Sequence, residues 1–114
     1  ALLGFVFLSA RVPTASKDET SNAPLAKFAT CLGEKDATFY GTEWCPHCKT
    51  QKALFGAQNL NSVPYVNCEE KSIVCRKAGV TAYPTWIFAD GSKKEGTQSL
   101  KSLAQKTGCS LDGA

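Results

Sequence analysis

With 114 residues the chain has room for one domain and no more, and a hydrophobic fraction of 43% is enough for an ordinary core. The net charge of +3 is mild, and the lysines are interleaved with acids (Lys17-Asp18-Glu19, Glu34-Lys35-Asp36, Glu69-Glu70-Lys71) instead of forming a basic stripe, which argues against nucleic acid as a partner. Six cysteines without one methionine point to a compartment outside the cytoplasm, where thiols pair; an even count fits three disulfides, or two structural ones and a redox pair.

In chain order, Ala1 to Ala10 is apolar and uncharged but shorter than the about 20 residues a membrane span needs. It is expected to be the trailing part of a signal peptide or anchor, the plainer alternative being an apolar tail. Arg11 to Asn22 has linker composition, so residues 1–22 are assigned to tail and linker and 23–114 to the folded domain. Ser21 or Asn22 caps a first helix with Pro24 in its first turn and Leu25, Phe28, Ala29 and Leu32 at helical spacing; Gly33 stops it. Ala37 to Gly41 reads as a buried strand, Pro46 to Phe55 as a helix, Val63 to Asn67 as a second strand, and Ser72 to Lys77 as a short helix closed by Gly79. Thr85 to Ala89 is a third strand, Asp90-Gly91 a hairpin turn, and Lys93 to Thr97 the return strand. Ser99 caps a last helix, with Leu100, Leu103 and Ala104 facing inward, that ends at Gly108. The order predicts an α/β fold, a mixed central sheet of about four strands with helices on both faces.

The chemistry sits in Trp44-Cys45-Pro46-His47-Cys48. A C-x-x-C pair between a strand and a helix holds two sulfurs close enough to bond. The first faces unpaired N–H groups and the positive end of the helix dipole, which favour thiolate over thiol. Cys45 is therefore the expected nucleophile and Cys48, one turn in, the shielded resolving thiol. Pro46 suits the first helical position, where its missing N–H had no partner, and a protonated His47 would favour a thiolate. Zinc is the alternative use of such a pair, but the remaining candidates, Cys68 and Cys75, have six residues between them and make a poor second knuckle; no metal is expected. With one histidine in the chain, a hydrolase built on a serine or cysteine with a histidine is poorly supported.

Pro84, at the head of a buried strand in Thr81-Ala82-Tyr83-Pro84-Thr85-Trp86, stands where a cis X-Pro bond would be used, leaving the Tyr83 backbone free to pair with an extended substrate. Trp44-Cys45-Pro46-His47-Cys48 followed by Tyr83-Pro84-Thr85 resembles the thioredoxin superfamily, with the Cys-Pro-His-Cys core of DsbA-type oxidases. Phe28-Ala29-x-Cys31-Leu32, Val63-Pro64-Tyr65-Val66-x-Cys68, Gly79 to Trp86 and the ending Ser99-Leu100 through Gly108-Cys109 are similar to the thioredoxin-like domain that accompanies bacterial vitamin K epoxide reductase homologues. The resemblance spans about residues 24 to 110. It implies a periplasmic or extracytoplasmic, membrane-anchored dithiol carrier. Such a carrier takes electrons from secreted cysteine-containing proteins and passes them to a membrane reductase of the vitamin K epoxide type, separate or once attached, and so to quinone. The domain itself needs no cofactor beyond its disulfide. Phe39 stands where thioredoxin has a buried acid, which puts thioredoxin-like proton shuttling in doubt.

The other four cysteines allow three connectivities. Cys68 and Cys75 flank a short segment that a local clip closes easily, and Cys31 with Cys109 would tie the two ends of the domain together; this pairing is preferred. A second redox pair at Cys68–Cys75, relaying electrons to Cys45–Cys48, is the alternative. Trp44, Tyr83 and Pro84 are the expected substrate contacts. Trp86, Phe88 and Phe39 are assigned to the core, and Glu43 and the Lys93-Lys94-Glu95 turn to solvated surface. Two further functional readings stay open: a reductase or isomerase that keeps the same dithiol reduced, and a non-catalytic module that binds thiol proteins.

Overall fold

The computed structural model describes residues 17–111, and the side chains of its first helix from Pro24 onward. The apolar run Ala1 to Ala10 and the first part of the polar stretch lie outside the described residues. The elements are α1 (Lys17–Glu34), β1 (Thr38–Gly41), α2 (Pro46–Phe55), a 3-10 turn (Ala57–Ser62), β2 (Tyr65–Asn67), α3 (Ser72–Lys77), β3 (Thr85–Ile87), β4 (Lys93–Glu95) and α4 (Leu100–Thr107).

The sheet has the order β2-β1-β3-β4. β1 runs parallel to β2, with Phe39 opposite Tyr65, and antiparallel to β3, with Phe39 opposite Trp86. β3 and β4 form the hairpin read from Asp90-Gly91, in which Phe88 N–H donates to Ser92 O at 3.0 Å and Gly91 takes φ 84°. The parallel pair forces a crossover, and α2 with the 3-10 turn supplies it. β1 is thereby an inner strand, and the chain leaving its C-terminal end carries the Cys45 segment.

Burial follows the pattern of β1, in which Phe39 and Gly41 point to the buried side. Phe28 and Leu32 of α1, Phe39, Phe55 of α2, Trp86 of β3 and Leu103 of α4 are all at most 1% exposed and form one core. Phe39 stacks on Trp86 at 5.3 Å between centroids and Trp86 on Phe88 at 6.4 Å, so the three aromatics assigned to the core from sequence are there. The core spends one polar side chain well: Gln51, fully buried on α2, accepts the Trp86 indole N–H (2.9 Å) and the Gln98 N–H (2.7 Å), and donates to Gln98 O (2.9 Å). Both polar atoms of its amide are thus hydrogen-bonded, as burial requires.

Several boundaries differ from the sequence reading. α1 begins at Lys17, so the polar stretch read as linker is helical from there, and Pro24 lies inside the helix instead of in its first turn. Proline at this position removes the hydrogen bond to the carbonyl four residues back and crowds it, a cost that the helix bears in its N-terminal half. Gly33 falls in the last turn; the end is closed one step later by Lys35 N–H to Cys31 O and Ala37 N–H to Leu32 O, with Asp36 left-handed at φ 58°. β3 and β4 are shorter than the strands read from sequence: the hairpin turn begins at Phe88, and β4 ends at Glu95, where Gly96 N–H donates to Pro84 O at 2.8 Å.

Candidate functional site

Cys45 is the N-cap of α2. Its backbone is extended (φ −74°, ψ 122°) and Pro46 occupies the first turn, as a helix start prefers. The sulfur takes the capping role: Cys48 N–H donates to Cys45 Sγ at 3.4 Å. Cys45 and Cys48 are the free cysteines among the described residues. Burial pushes the Cys45 thiol up, but hydrogen bonds from the Cys48 thiol and from the Cys48 and His47 N–H groups outweigh it and hold Cys45 below the ordinary thiol value. Cys48, with no exposed surface, is pushed up to about 12, first by burial and then by the neighbouring Cys45 sulfur. One sulfur is thus prepared as a thiolate and the other kept as a thiol. His47 acts on Cys45 through its main-chain N–H, and its side chain is exposed.

The Tyr83–Pro84 bond is cis, and the Cys45 thiol donates to Tyr83 O at 3.7 Å. The proline loop and the C-x-x-C segment, 38 residues apart in sequence, therefore meet at the reactive sulfur. Pro84 is buried beneath them. Trp44 is 60% exposed and meets Tyr83, 36% exposed, edge-on at 6.3 Å, so a pair of touching aromatic side chains stands open to solvent beside the C-x-x-C segment. All five residues of the sequence-derived site other than His47 and Pro46 side chains thus converge on one end of the sheet.

Glu43, read as a solvated charge, has partners: its Oε2 accepts Lys52 Nζ and Tyr65 OH, each at 2.9 Å. The hydrogen bond from Lys52 is the largest of the effects holding its carboxyl below the usual value. Lys52 and Tyr65 come from α2 and β2, and nothing local in the sequence announces the meeting. Gln51 and Thr97 were also missed. Thr97 Oγ1 donates to His47 O at 3.1 Å. The signal for Gln51 was its spacing: Cys48, Gln51 and Phe55 are the buried residues of α2, one face of a helix, and a polar residue there needs partners.

Gly41 closes the floor of the site. A Cβ on it would lie 2.7 Å from Cys48 Sγ and 3.2 Å from the Phe39 ring, both buried atoms. Its backbone is not left-handed, so the requirement is space alone. Gly41→Ala is expected to cost about 1–3 kcal/mol and to displace the Cys48 sulfur; a thermal unfolding midpoint equal to that of the parent would show the floor to be softer than this.

Cys31 is bonded to Cys109, and Cys68 to Cys75, with Cα–Cα distances of 5.9 and 5.7 Å. The second pair that a zinc site required is therefore a disulfide, and among the described residues no group of three or more His, Cys, Asp or Glu side chains could hold a metal ion. No helix among them is long and apolar enough to cross a membrane.

A mixed sheet with a free dithiol at the mouth of an inner strand, facing a cis-proline loop, places the chain among the dithiol-bearing α/β domains. Residues 34–107 match the family model for thioredoxin, and the chain belongs to the thioredoxin family. It is 36% identical over 98 residues to the thiol-disulfide oxidoreductase LTO1 of Arabidopsis thaliana, covering 79% of this chain and 25% of that protein. It is 34% identical over 110 residues to protein disulfide isomerase-like 2-1 of rice (Oryza sativa subsp. japonica), covering 82% of this chain and 30% of that one. The chain thus spans about a quarter to a third of the length of these curated relatives. Among solved structures, the thioredoxin of Fasciola hepatica superposes with a TM-score of 0.49 at 22% identity, over 68% of this chain and 85% of its own.

Proposed function

We propose that the chain is a thiol–disulfide oxidoreductase domain that promotes disulfide formation in secreted proteins, working outside the cytoplasm. The observation that carries the reading is the unequal pair: Cys45 capping α2 beside the Tyr83 carbonyl, and Cys48 buried one turn behind it. In the oxidised domain a substrate thiolate attacks Cys45 Sγ. The Cys45–Cys48 bond breaks, a mixed disulfide forms at Cys45, and Cys48 leaves with the electron pair and takes a proton. A second substrate thiolate then attacks the substrate sulfur of the mixed disulfide. Cys45 leaves as the thiolate its surroundings favour, the substrate is oxidised and the domain is left as a dithiol. No cofactor enters these steps.

The oxidising direction rests on the sequence resemblance to DsbA-type domains, and the same asymmetry is compatible with it. Donors to the Cys45 thiolate stabilise only the reduced form, so they draw the equilibrium towards it. The relatives named a thiol-disulfide oxidoreductase and a protein disulfide isomerase-like protein support the reaction class. The two disulfides held beside the working dithiol support an oxidising compartment. Reoxidation by a membrane reductase that feeds a quinone, and a membrane tether, rest on the sequence resemblance. In this reading Trp44, Tyr83 and Pro84 receive the substrate backbone and its apolar side chains.

The test is equilibration of the 114-residue chain with a graded series of reduced and oxidised glutathione, read by the fraction of Cys45–Cys48 disulfide, alongside oxidative refolding of a reduced secreted protein. A potential at or above that of glutathione, with accelerated refolding, is expected. A potential well below glutathione would overturn the oxidase reading in favour of the reductase.

A further inference from the structure

One peptide unit links two contacts of the site. The peptide joining His47 to Cys48 turns its N–H towards Cys45 Sγ, at 3.4 Å, while its carbonyl oxygen accepts the hydroxyl of Thr97 at 3.1 Å. The unit is planar, so fixing the oxygen fixes the direction of the N–H. A hydrogen bond accepted by the carbonyl also draws charge towards the oxygen and leaves the N–H a stronger donor, as in any chain of hydrogen bonds.

Thr97 is held in place to do this. It lies between β4 and α4, and the residues on both sides are tied down: Gly96 N–H donates to Pro84 O at 2.8 Å, and Gln98 is gripped at both its N–H (2.7 Å) and its carbonyl (2.9 Å) by the buried amide of Gln51. Gln51 stands on α2 one turn beyond Cys48, so the helix that carries the dithiol also carries the clamp that brings Thr97 back to it. The Gln98 side chain completes the loop by donating to Glu95 O and Gly96 O, each at 3.2 Å.

We propose that Thr97 is a positioning residue for the reactive sulfur, its hydroxyl orienting and polarising the His47–Cys48 peptide so that the Cys48 N–H is presented to a Cys45 thiolate. The proposal rests on the reading of Cys45 as the exchanging sulfur. A hydroxyl that only tied the loop to the helix would contribute to stability and leave the ionisation of Cys45 alone, and the two roles separate on that point. The titratable groups around the sulfur are Glu43 with its partners Lys52 and Tyr65, His47, Cys48, Lys49 and Tyr83, and the Thr97 hydroxyl bonds the main chain of His47 and no titratable side chain.

The experiment compares the reduced full chain with Thr97→Val and Thr97→Ser, measuring thiolate absorbance and the rate of alkylation of Cys45 against pH, with thermal unfolding as a control. Valine keeps the shape of threonine and loses the hydroxyl. Thr97→Val is expected to raise the Cys45 midpoint by roughly half a pH unit, the size of one modest hydrogen bond expressed as ionisation, and Thr97→Ser to restore it. An unshifted midpoint in Thr97→Val, with or without a lower unfolding temperature, overturns the proposal. So does a Thr97→Ser shift as large as that of valine, which would assign the effect to the methyl group. Should valine prevent folding, Thr97→Ala is read by the same two outcomes. Because titration reads ionisation and not turnover, a parent chain that fails to exchange disulfides would overturn the proposed function, while a shifted Thr97→Val midpoint would still establish the positioning role.

Discussion

Cys45→Ser is expected to reduce disulfide exchange to background, a loss of ~10³-fold or more, whereas Cys48→Ala, which cannot form the Cys45–Cys48 disulfide, is expected to lose oxidation of substrates and to keep the attack of reduced Cys45 on a disulfide-bonded substrate. The difference follows from where the sulfurs sit. Cys45 is the one whose thiolate is held by N–H donors and which faces the proline loop; Cys48 has no exposed surface and a thiol pushed up to about 12. A reduced Cys48→Ala domain offered a disulfide-bonded substrate can attack it through Cys45 and cannot release itself, so a mixed disulfide persists, visible on a non-reducing gel. Recovered from cells, that adduct would identify the substrates and any membrane reductase together. Cys45→Ser with undiminished function would sink the catalytic reading and leave a thiol-binding module in its place.

The pH dependence carries the same asymmetry. The alkylation rate of the reduced chain is expected to rise with pH and to level off below the range of an ordinary cysteine, because Cys45 is the reacting thiol and its folded value is lowered. Stability of the reduced form has two windows. Where folded Cys45 is ionised and the unfolded thiol is not, the unfolded state binds more protons, so stability rises with pH. Above the ordinary thiol value the unfolded chain ionises at the Cys48 position while the folded one does not until about 12, and stability falls. The reduced domain should therefore be most stable near the ordinary thiol value, and denaturant melts across that range measure it.

What could be read from the sequence was what is decided locally. α2 and α4 carry their own boundaries: proline at the first turn of one, and at the other Ser99 accepting Ser102 N–H at 3.0 Å and Gly108 left-handed at φ 83°. Each signal acts within one turn of chain, so it needs no tertiary context. The start of α1 had no such signal, since Lys17 to Asn22 shows no apolar period and Asp18, Thr20, Ser21 and Asn22 are weak helix formers. Strand ends were overrun for a different reason. Ala37 and Phe88 are buried and apolar, so they continue the strand pattern, but burial does not require pairing. In the site, Cys45, Cys48 and Pro84 were legible because each residue type has few uses. Gln51, Thr97 and the Glu43–Lys52–Tyr65 cluster were not, because their roles are made by partners: Thr97 meets His47 from 50 residues away, and a threonine in a polar loop looks the same with or without that contact.

Removing the Cys31–Cys109 bond by the double substitution Cys31→Ala, Cys109→Ala is expected to have a larger effect on stability than removing the other disulfide. The bond closes a loop of 78 residues, joining the last turn of α1 to the segment after α4, and so restrains nearly the whole described chain when unfolded. On the chain-entropy account such a link contributes about 4 kcal/mol, against a total of about 5–15 kcal/mol for a typical domain. For a domain of this size that corresponds to a fall of about 20 °C in Tm. The Cys68–Cys75 bond spans only 7 residues, and the same account gives it about 2 kcal/mol. Its position adds a second consequence: Cys68 N–H donates to Gly41 O at 2.7 Å, and Gly41 is the floor under Cys48, so loosening this clip acts on the site more than on the fold. The two double variants should therefore part in opposite senses, Cys31/Cys109 losing more stability and Cys68/Cys75 losing more exchange rate per unit of stability lost. Thermal unfolding and exchange kinetics on the same two proteins measure both. Equal losses of Tm would overturn the loop-length argument, and an unchanged exchange rate in Cys68→Ala, Cys75→Ala would detach that disulfide from the site.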